Sequence, residues 1–493
     1  MRGSVSELLG ANTDVLDRSA ESLRIDARRL ADIRIMAQRV LGELQASWNG
    51  SDLMHLTQRW EQQASPLLDS ASASLDTCAA QLRAQAAAQR VTSSSGSNGA
   101  TALMPVTSLV SPSAHRSTVD NAAWWRSLSP LQQQQQVIRS HPEWIGSRDG
   151  VDFTARDLAN RAMLTVDRDH LVADRERLKA DLAASWFGGA VTNDDAALDQ
   201  VKDKLASIDA IEATLAQPGE HQLLLLDMGQ ERSQAAIANG NVQTAANVAV
   251  FIPGMGTTVA NSMKDSDKTM HDLRLTALRT SGQVHPTRAP TTAAVSWIGY
   301  QTPQRALDVL NLDSSGAVDT TARRGAAQLV PFLQGIGAAR DHDAHLTLLG
   351  HSYGSTTAGL ALRQETGVDD AVFFGSPGLG TDHVEDLRLA PGHAYYIEAP
   401  GDVVGDLGIL GADPSGMSGM KHLSTGASDV VDPATGAISH LDGVTGHSSY
   451  LLDGSTSQRN IATIVEGVPD RRVYTLAESF REVISGPNVF ARP

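Results

Sequence analysis

Apolar positions set the first divisions of the chain. From Asp14 to Ser47 leucines recur every seven residues, at Leu16, Leu23 and Leu30, and Ile33, Val40 and Leu44 continue the same face. Seven residues are close to two turns of helix, so these side chains form one stripe. The pattern stops at Trp48-Asn49-Gly50 and resumes through Leu53, Leu56, Trp60, Leu67, Leu68, Leu75 and Leu82 to Arg90. Two amphipathic helices around a glycine-containing break predict an antiparallel hairpin over residues 1–90. Residues 91–118 are rich in Ser, Thr, Gly and Pro and read as a linker. Helical patterning returns from Asn121 to Gln217, giving a helical region over 119–220 that packs on the C-terminal part of the chain. Its tryptophans, Trp124, Trp125 and Trp144, suit that packing, and Arg156, Asp157, Asn160 and Arg161 have spacings that suit local pairing along one helix.

From residue 222 the period changes. Short apolar runs at Gln222–Asp227, Gln234–Ala238, Asn247–Ile252, Ala293–Ile298, His345–Leu349, Ala371–Phe374 and Ala394–Glu398 predict strands, several of them buried on both faces. Helical patterns lie between the later ones, at Thr257–Leu278, Thr320–Ala339, Ser355–Glu365 and Asp382–Leu387. Alternating strands and helices predict an α/β domain over 221–493, with a mostly parallel sheet flanked by helices.

Composition narrows the partners. Of the 493 residues, 41% are hydrophobic and 19% charged, an ordinary globular balance. A net charge of −16 disfavours nucleic acid, because phosphate backbones are repelled. The one cysteine, Cys78, permits no internal disulfide and reads as a small apolar filler. The first ten residues lack a signal-peptide core, and Leu223–Leu226 is too short to cross a bilayer. These features point to a soluble chain, cytoplasmic or exported without a cleavable signal. Asp341-His342-Asp343 and Asp382-His383 lack the separated ligands of a metal site, and no phosphate-binding loop follows a strand, so neither metal nor cofactor is expected.

Candidate chemistry centres on Gly350-His351-Ser352-Tyr353-Gly354, between the apolar strand His345–Leu349 and a helix rich in small residues. A serine on a strand-to-helix turn presents its hydroxyl at the tip, and the flanking glycines let strand and helix pack closely. Such a serine needs a base, and the base needs an orienting carboxylate. In the order Ser, acid, His, the first choice of acid is Asp402, in the loop after Tyr395–Glu398, with Asp406 and Asp413 as alternatives. Among the later histidines His447 stands just before the last helix, where a base belongs, while His422 and His440 fall in a Gly-rich loop. His351 suits packing or orientation. The earlier strand-to-helix loop, Pro253-Gly254-Met255-Gly256-Thr257, predicts a second element: backbone N–H groups of Met255 and Tyr353 stabilising an oxyanion.

From Trp124 onward the chain resembles an actinobacterial α/β-hydrolase family catalogued as a domain of unknown function. The resemblance rests on Trp124-Trp125, Gly150–Arg161, Pro253-Gly254-Met255-Gly256, Gly350–Gly354, Gly401-Asp402-Val403-Val404, Gly411-Ala412-Asp413-Pro414 and Gly446-His447-Ser448-Ser449-Tyr450. It implies the α/β-hydrolase fold and a Ser352-Asp402-His447 triad, and it supplies no substrate. Residues 1–90 resemble the WXG-type hairpins of type VII secretion in helical pattern and in the Trp-x-Gly turn, although no Tyr-x-x-x-Asp/Glu signal follows the second helix. The expected activity is therefore that of a serine esterase or lipase-like hydrolase acting on a small-molecule or lipid ester. The competing expectation is an exported effector or docking protein, with the hairpin meeting a helical partner or secretion machinery and the hydrolase domain serving as an acyltransferase or an inactive scaffold.

Overall fold

The computed structural model describes residues 117–474, apart from 129–130, 185–193, 286–289, 305–314, 405–409 and 433–434, together with scattered helical positions between 20 and 83. The chain separates into two compact units, residues 1–108 and 109–493.

In the first unit the described positions from 20 to 42 and from 57 to 83 are helical, with one π-turn at Trp60–Ala64. The Trp60 ring N–H donates to the Gln38 side chain at 2.6 Å, and the Ser72 hydroxyl donates to the Ala27 carbonyl at 2.9 Å. One partner number rises as the other falls, so the two helices run antiparallel. The Trp48-Asn49-Gly50 turn and the 91–116 stretch lie outside the described residues.

The second unit begins with four helices: α1 (Thr118–Ser127), α2 (Leu131–Ser140), α3 (Phe153–Ala184) and α4 (Asp194–Leu215). Next come β1 (His221–Asp227), β2 (Gln234–Asn239), β3 (Asn247–Ile252), α5 (Val259–Val284), β4 (Thr292–Ile298), α6 (Ser315–Ala339), β5 (His345–His351), α7 (Tyr353–Leu362), β6 (Asp370–Phe374) and β7 (Ala394–Ile397). The chain continues through β8 (Lys421–His422), β9 (Ser428–Val431), β10 (Ile438–Leu441) and α8 (Thr456–Val465).

The main sheet has the order β1-β2-β4-β3-β5-β6-β7-β8, and β9 pairs with β10 as a separate hairpin. From β4 to β8 every pairing is parallel. β2 is antiparallel to both neighbours, and a short turn joins it to β1. Period-2 alternation explains why the central strands read as unbroken apolar runs. Val248, Val250 and Ile252 face the core beneath α6 and α7, whereas Ala249 and Phe251 face the core beneath α5 and α8. The expected Asp382–Leu387 helix is reduced to a single 3-10 turn, Val384–Asp386, and α5 runs six residues beyond the predicted Leu278. His422 lies on edge strand β8 and His440 on β10, so neither sits in a plain loop.

Strand β1 is one edge of the sheet, and α3 closes it with side chains. Asp157 accepts from the Leu223 N–H at 2.6 Å, while the Asn160 amide donates to the Leu223 carbonyl at 2.9 Å. Arg156 donates to Leu224 O at 2.6 Å and Arg161 to His221 O at 2.7 Å. The Ser147 hydroxyl contacts both backbone groups of Leu226, at 2.8 and 3.1 Å. An open edge would expose this ladder to pairing with another chain. The predicted local pairing survives only between Arg161 and Asp157, at 2.8 Å. The other members of the group reach across to the strand.

Arg156 is fully buried and also pairs with Asp149 at 3.0 Å. Removing one partner of a buried pair leaves the other charge and the carbonyls uncompensated. Arg156→Ala is therefore expected to lose roughly 3–5 kcal/mol of stability in urea denaturation. A loss below about 1 kcal/mol, the surface-pair range, would show that this clamp does not support the sheet.

Candidate functional site

Strand order reverses about β3: the chain moves to β4 on one side and to β5 on the other. Such a switch point opens a crevice at the carboxyl ends of the strands. Two loops meet there, Pro253–Thr257 after β3 and the turn after β5. Ser352 occupies that turn with φ 52° and ψ −131°, the one non-glycine residue with positive φ among the described residues. Its N–H donates to Phe374 O at 3.0 Å, and its carbonyl accepts the Ser355 hydroxyl at 2.6 Å. A Cβ on Gly350 would lie 2.7 Å from Ser355 Cα, and one on Gly354 would lie 2.2 Å from Ile252 O. Both contacts involve backbone that cannot step aside, so the turn needs glycine on either side of the serine. A Cβ on Gly254 would lie 2.7 Å from the Ser352 Cβ, so the loop after β3 lies against the serine.

The structure brings Ser352, His447 and Asp402 together. His447 Nε2 lies 2.9 Å from Ser352 Oγ, and its Nδ1 lies 2.9 and 3.0 Å from the two Asp402 oxygens. With Nδ1–H donating to the carboxylate, Nε2 is left as the acceptor facing the serine hydroxyl. Asp402 is 3% exposed. Burial raises its pKa, but hydrogen bonds from Tyr450, His447 and the Val404 N–H outweigh that and hold the carboxyl below its ordinary value. The Tyr450 hydroxyl donates to Asp402 Oδ2 at 2.5 Å and accepts the Ala399 N–H at 3.1 Å. The His447 loop is itself tied down: Gly446 N–H donates to Pro400 O at 2.9 Å, and His351 Nε2–H donates to the His447 carbonyl at 2.8 Å.

Met255 is half-buried at the lip of the crevice, and Tyr353 is the buried first residue of α7. The loop bearing Met255 hangs from Tyr300, whose hydroxyl donates to Pro253 O at 2.8 Å and whose ring stacks on Tyr353 with centroids 6.4 Å apart. The other candidates stand elsewhere. Asp413 caps a short turn by accepting the Ser415 N–H at 2.8 Å. His440 pairs with Asp429 at 2.8 Å on the exposed hairpin, and the His422 ring lies against Tyr396. Asp406 lies outside the described residues. No group of three His, Cys, Asp or Glu side chains that could hold a metal occurs among the described residues, and none of their helices is long and apolar enough to cross a membrane. Trp125 is buried with Val137 and Ile145, away from the crevice.

A family profile described as alpha/beta hydrolase matches residues 228–412, from the end of β1 to just beyond Asp402. An uncharacterized protein of Mycobacterium tuberculosis is 33% identical over 241 residues, covering 48% of this chain and 88% of that protein. The chain belongs to the alpha/beta hydrolase family. A second uncharacterized protein of the same organism is 28% identical over 386 residues, covering 73% of this chain and 56% of that one. Among solved structures, the esterase LipW from Mycobacterium marinum shares 16% identity at TM-score 0.27, covering 57% of this chain and 90% of its own. A Pyrobaculum calidifontis esterase shares 13% at TM-score 0.28, covering 59% and 97%.

Three parts of this alpha/beta hydrolase site escape sequence reasoning: Tyr450, Tyr300 and Gly375. Tyr450 stands three residues after His447, but no spacing rule links a tyrosine to a carboxylate in another loop. Gly375 directly follows β6 at φ 57°, where a Cβ would meet Asp402 Oδ2 at 2.8 Å and His447 Nδ1 at 3.0 Å.

Burial between Phe374, His447 and Tyr450 pushes the pKa of His351 down from 6.5 to about 4. Above pH 6.5 the residue is neutral in folded and unfolded chains alike. From there down toward pH 4 only the unfolded chain takes up the proton, so stability falls on acidification across that window. His351→Gln keeps a side-chain donor and cannot titrate. Between about pH 7 and pH 5 it should lose up to roughly 2 kcal/mol less stability than wild type, read from urea midpoints. An equal loss would mean that His351 titrates normally. The comparison cancels the other titrating groups.

Proposed function

We propose that this chain is a serine hydrolase that cleaves acyl esters through an acyl-enzyme. The observation that carries the reading is the continuous hydrogen-bonded line from Ser352 Oγ through His447 to Asp402, with every link between 2.9 and 3.0 Å. Ser352 Oγ attacks the ester carbonyl while His447 Nε2 takes its proton. Asp402 fixes the imidazole tautomer and stabilises the imidazolium. The Met255 and Tyr353 N–H groups hold the oxyanion, aided by the positive end of α7. His447 then protonates the departing alcohol. Water, activated by the same histidine, releases the acid; an alcohol in its place would make the reaction an acyl transfer.

Ser352→Ala should abolish labelling by a fluorophosphonate probe and lower turnover of p-nitrophenyl esters by about a thousandfold or more. Undiminished labelling would remove Ser352 from the role of nucleophile. Gly375→Ala should keep the fold but lower kcat/KM by about a hundredfold, because displacement of the acid–base pair by around 1 Å costs that much. Activity within about threefold of wild type would mean that the pair tolerates the intrusion.

The antiparallel contacts Trp60–Gln38 and Ser72–Ala27 favour a second role for residues 1–90, as a helical module that docks a partner or secretion machinery. Its removal would then abolish export or partner capture and leave esterase activity intact.

A further inference from the structure

The crevice above Ser352 has a volume of about 380 Å³, and its two sides differ chemically. The apolar residues beneath it, Phe251, Phe374 and Tyr450, are at most 7% exposed and belong to the sheet core. Above them, among the described residues, only Met255 and Leu451 offer half-exposed apolar surface. The long wall is one face of α5, with Ser262, Asp265, Ser266 and Thr269 at successive-turn spacing, and Ser448 stands near His447. A long acyl chain gains about 0.8 kcal/mol per methylene only against apolar surface. Against these hydroxyls it would instead strip water from polar groups without replacing their hydrogen bonds.

Charge sharpens the choice. Among the described residues lining the crevice, Asp265 is the one carboxylate, and no lysine or arginine stands with it. Its carboxylate is exposed, and among the described residues no hydrogen bond or ion pair engages it; its backbone carbonyl, by contrast, receives the Thr269 hydroxyl at 2.9 Å. Two lysines of α5 are near Asp265 in sequence: Lys268 is paired with Asp272, Lys264 is exposed, and neither lines the crevice. A lone carboxylate beside serine hydroxyls repels anionic groups and accepts two O–H donors at once, which suits neighbouring hydroxyls on one substrate.

We propose that the alcohol half of the ester is a polyol or sugar, seated along α5 with adjacent hydroxyls donating to Asp265. This rests on the serine-hydrolase reading above. Ser352 Oγ bonds to the acyl carbon, the bond from that carbon to the polyol oxygen breaks, and His447 delivers the serine proton to the departing oxygen. The polyol leaves as the neutral alcohol, and water completes hydrolysis.

The test compares ethyl butyrate with glycerol monobutyrate and glucose monobutyrate, which share an acyl group, on wild type and Asp265→Ala. Wild type should prefer a polyol ester by about tenfold or more in kcat/KM, mostly through KM. Asp265→Ala should lose that preference while retaining its rate on ethyl butyrate and its fluorophosphonate labelling. Equal rates on the three esters, or a preference that survives in Asp265→Ala, would overturn the proposal and leave the hydrolase reading standing. Labelling without turnover of any of the three esters would also overturn it. Absence of both labelling and turnover would overturn the hydrolase reading itself.

Discussion

Ser352 sits in backbone geometry that an L-residue avoids, at a cost on the order of 1–3 kcal/mol. That conformation persists only because its surroundings leave no alternative. Gly350 and Gly354 let strand and helix close to distances at which any Cβ would collide with backbone. The neighbouring strand β6 receives the serine N–H through Phe374 O, and Ser355 returns a hydroxyl to the serine carbonyl. The strain points the hydroxyl away from both strand and helix, into the crevice. The hydroxyl is thereby held where His447 Nε2 meets it, at 2.9 Å.

That turn in turn depends on the sheet being rigid at its centre. β5 lies between β3 and β6, and its core residues are buried on both faces. The far edge is secured by apolar packing of its leucines and also by polar side chains of α3, which take over the hydrogen bonds a further strand would make. The helices before the sheet therefore belong to the same compact unit and complete its ladder. Tyr300 extends this logic to the site: a buried hydroxyl on Pro253 O couples the loop after β4 to the loop carrying Met255.

The central strands and the serine turn are legible because each leaves a local mark: a short apolar run, then two glycines at fixed offsets. The positions of Asp402 and His447 are legible through chain order, a coarser signal that leaves Asp413, His422 and His440 in contention until distances separate them. Arg156 and Asn160 mislead, since helical spacing displays i, i+4 neighbours and hides a strand at residue 223. The antiparallel course of β2 is hidden for a similar reason. An apolar run records burial, not direction. Tyr450, Tyr300 and Gly375 act through contacts between loops distant in sequence, and no local pattern encodes those.

The electrostatics around His447 follow from two opposite effects of burial. Next to it, His351 packs against the rings of Phe374, His447 and Tyr450, and burial lowers its pKa to about 4, so it is neutral near pH 7. On its other side Asp402 is buried more deeply but stays ionised, because three donors replace its hydration. Burial without donors neutralises the first group, and burial with donors preserves the charge of the second. Among the described residues, Asp402 is thus the charged group hydrogen-bonded to His447, and the neighbouring His351 carries no competing positive charge. In the proposed reaction, proton transfer from Ser352 would therefore create an ion pair inside a prepared hydrogen-bond network rather than an isolated cation.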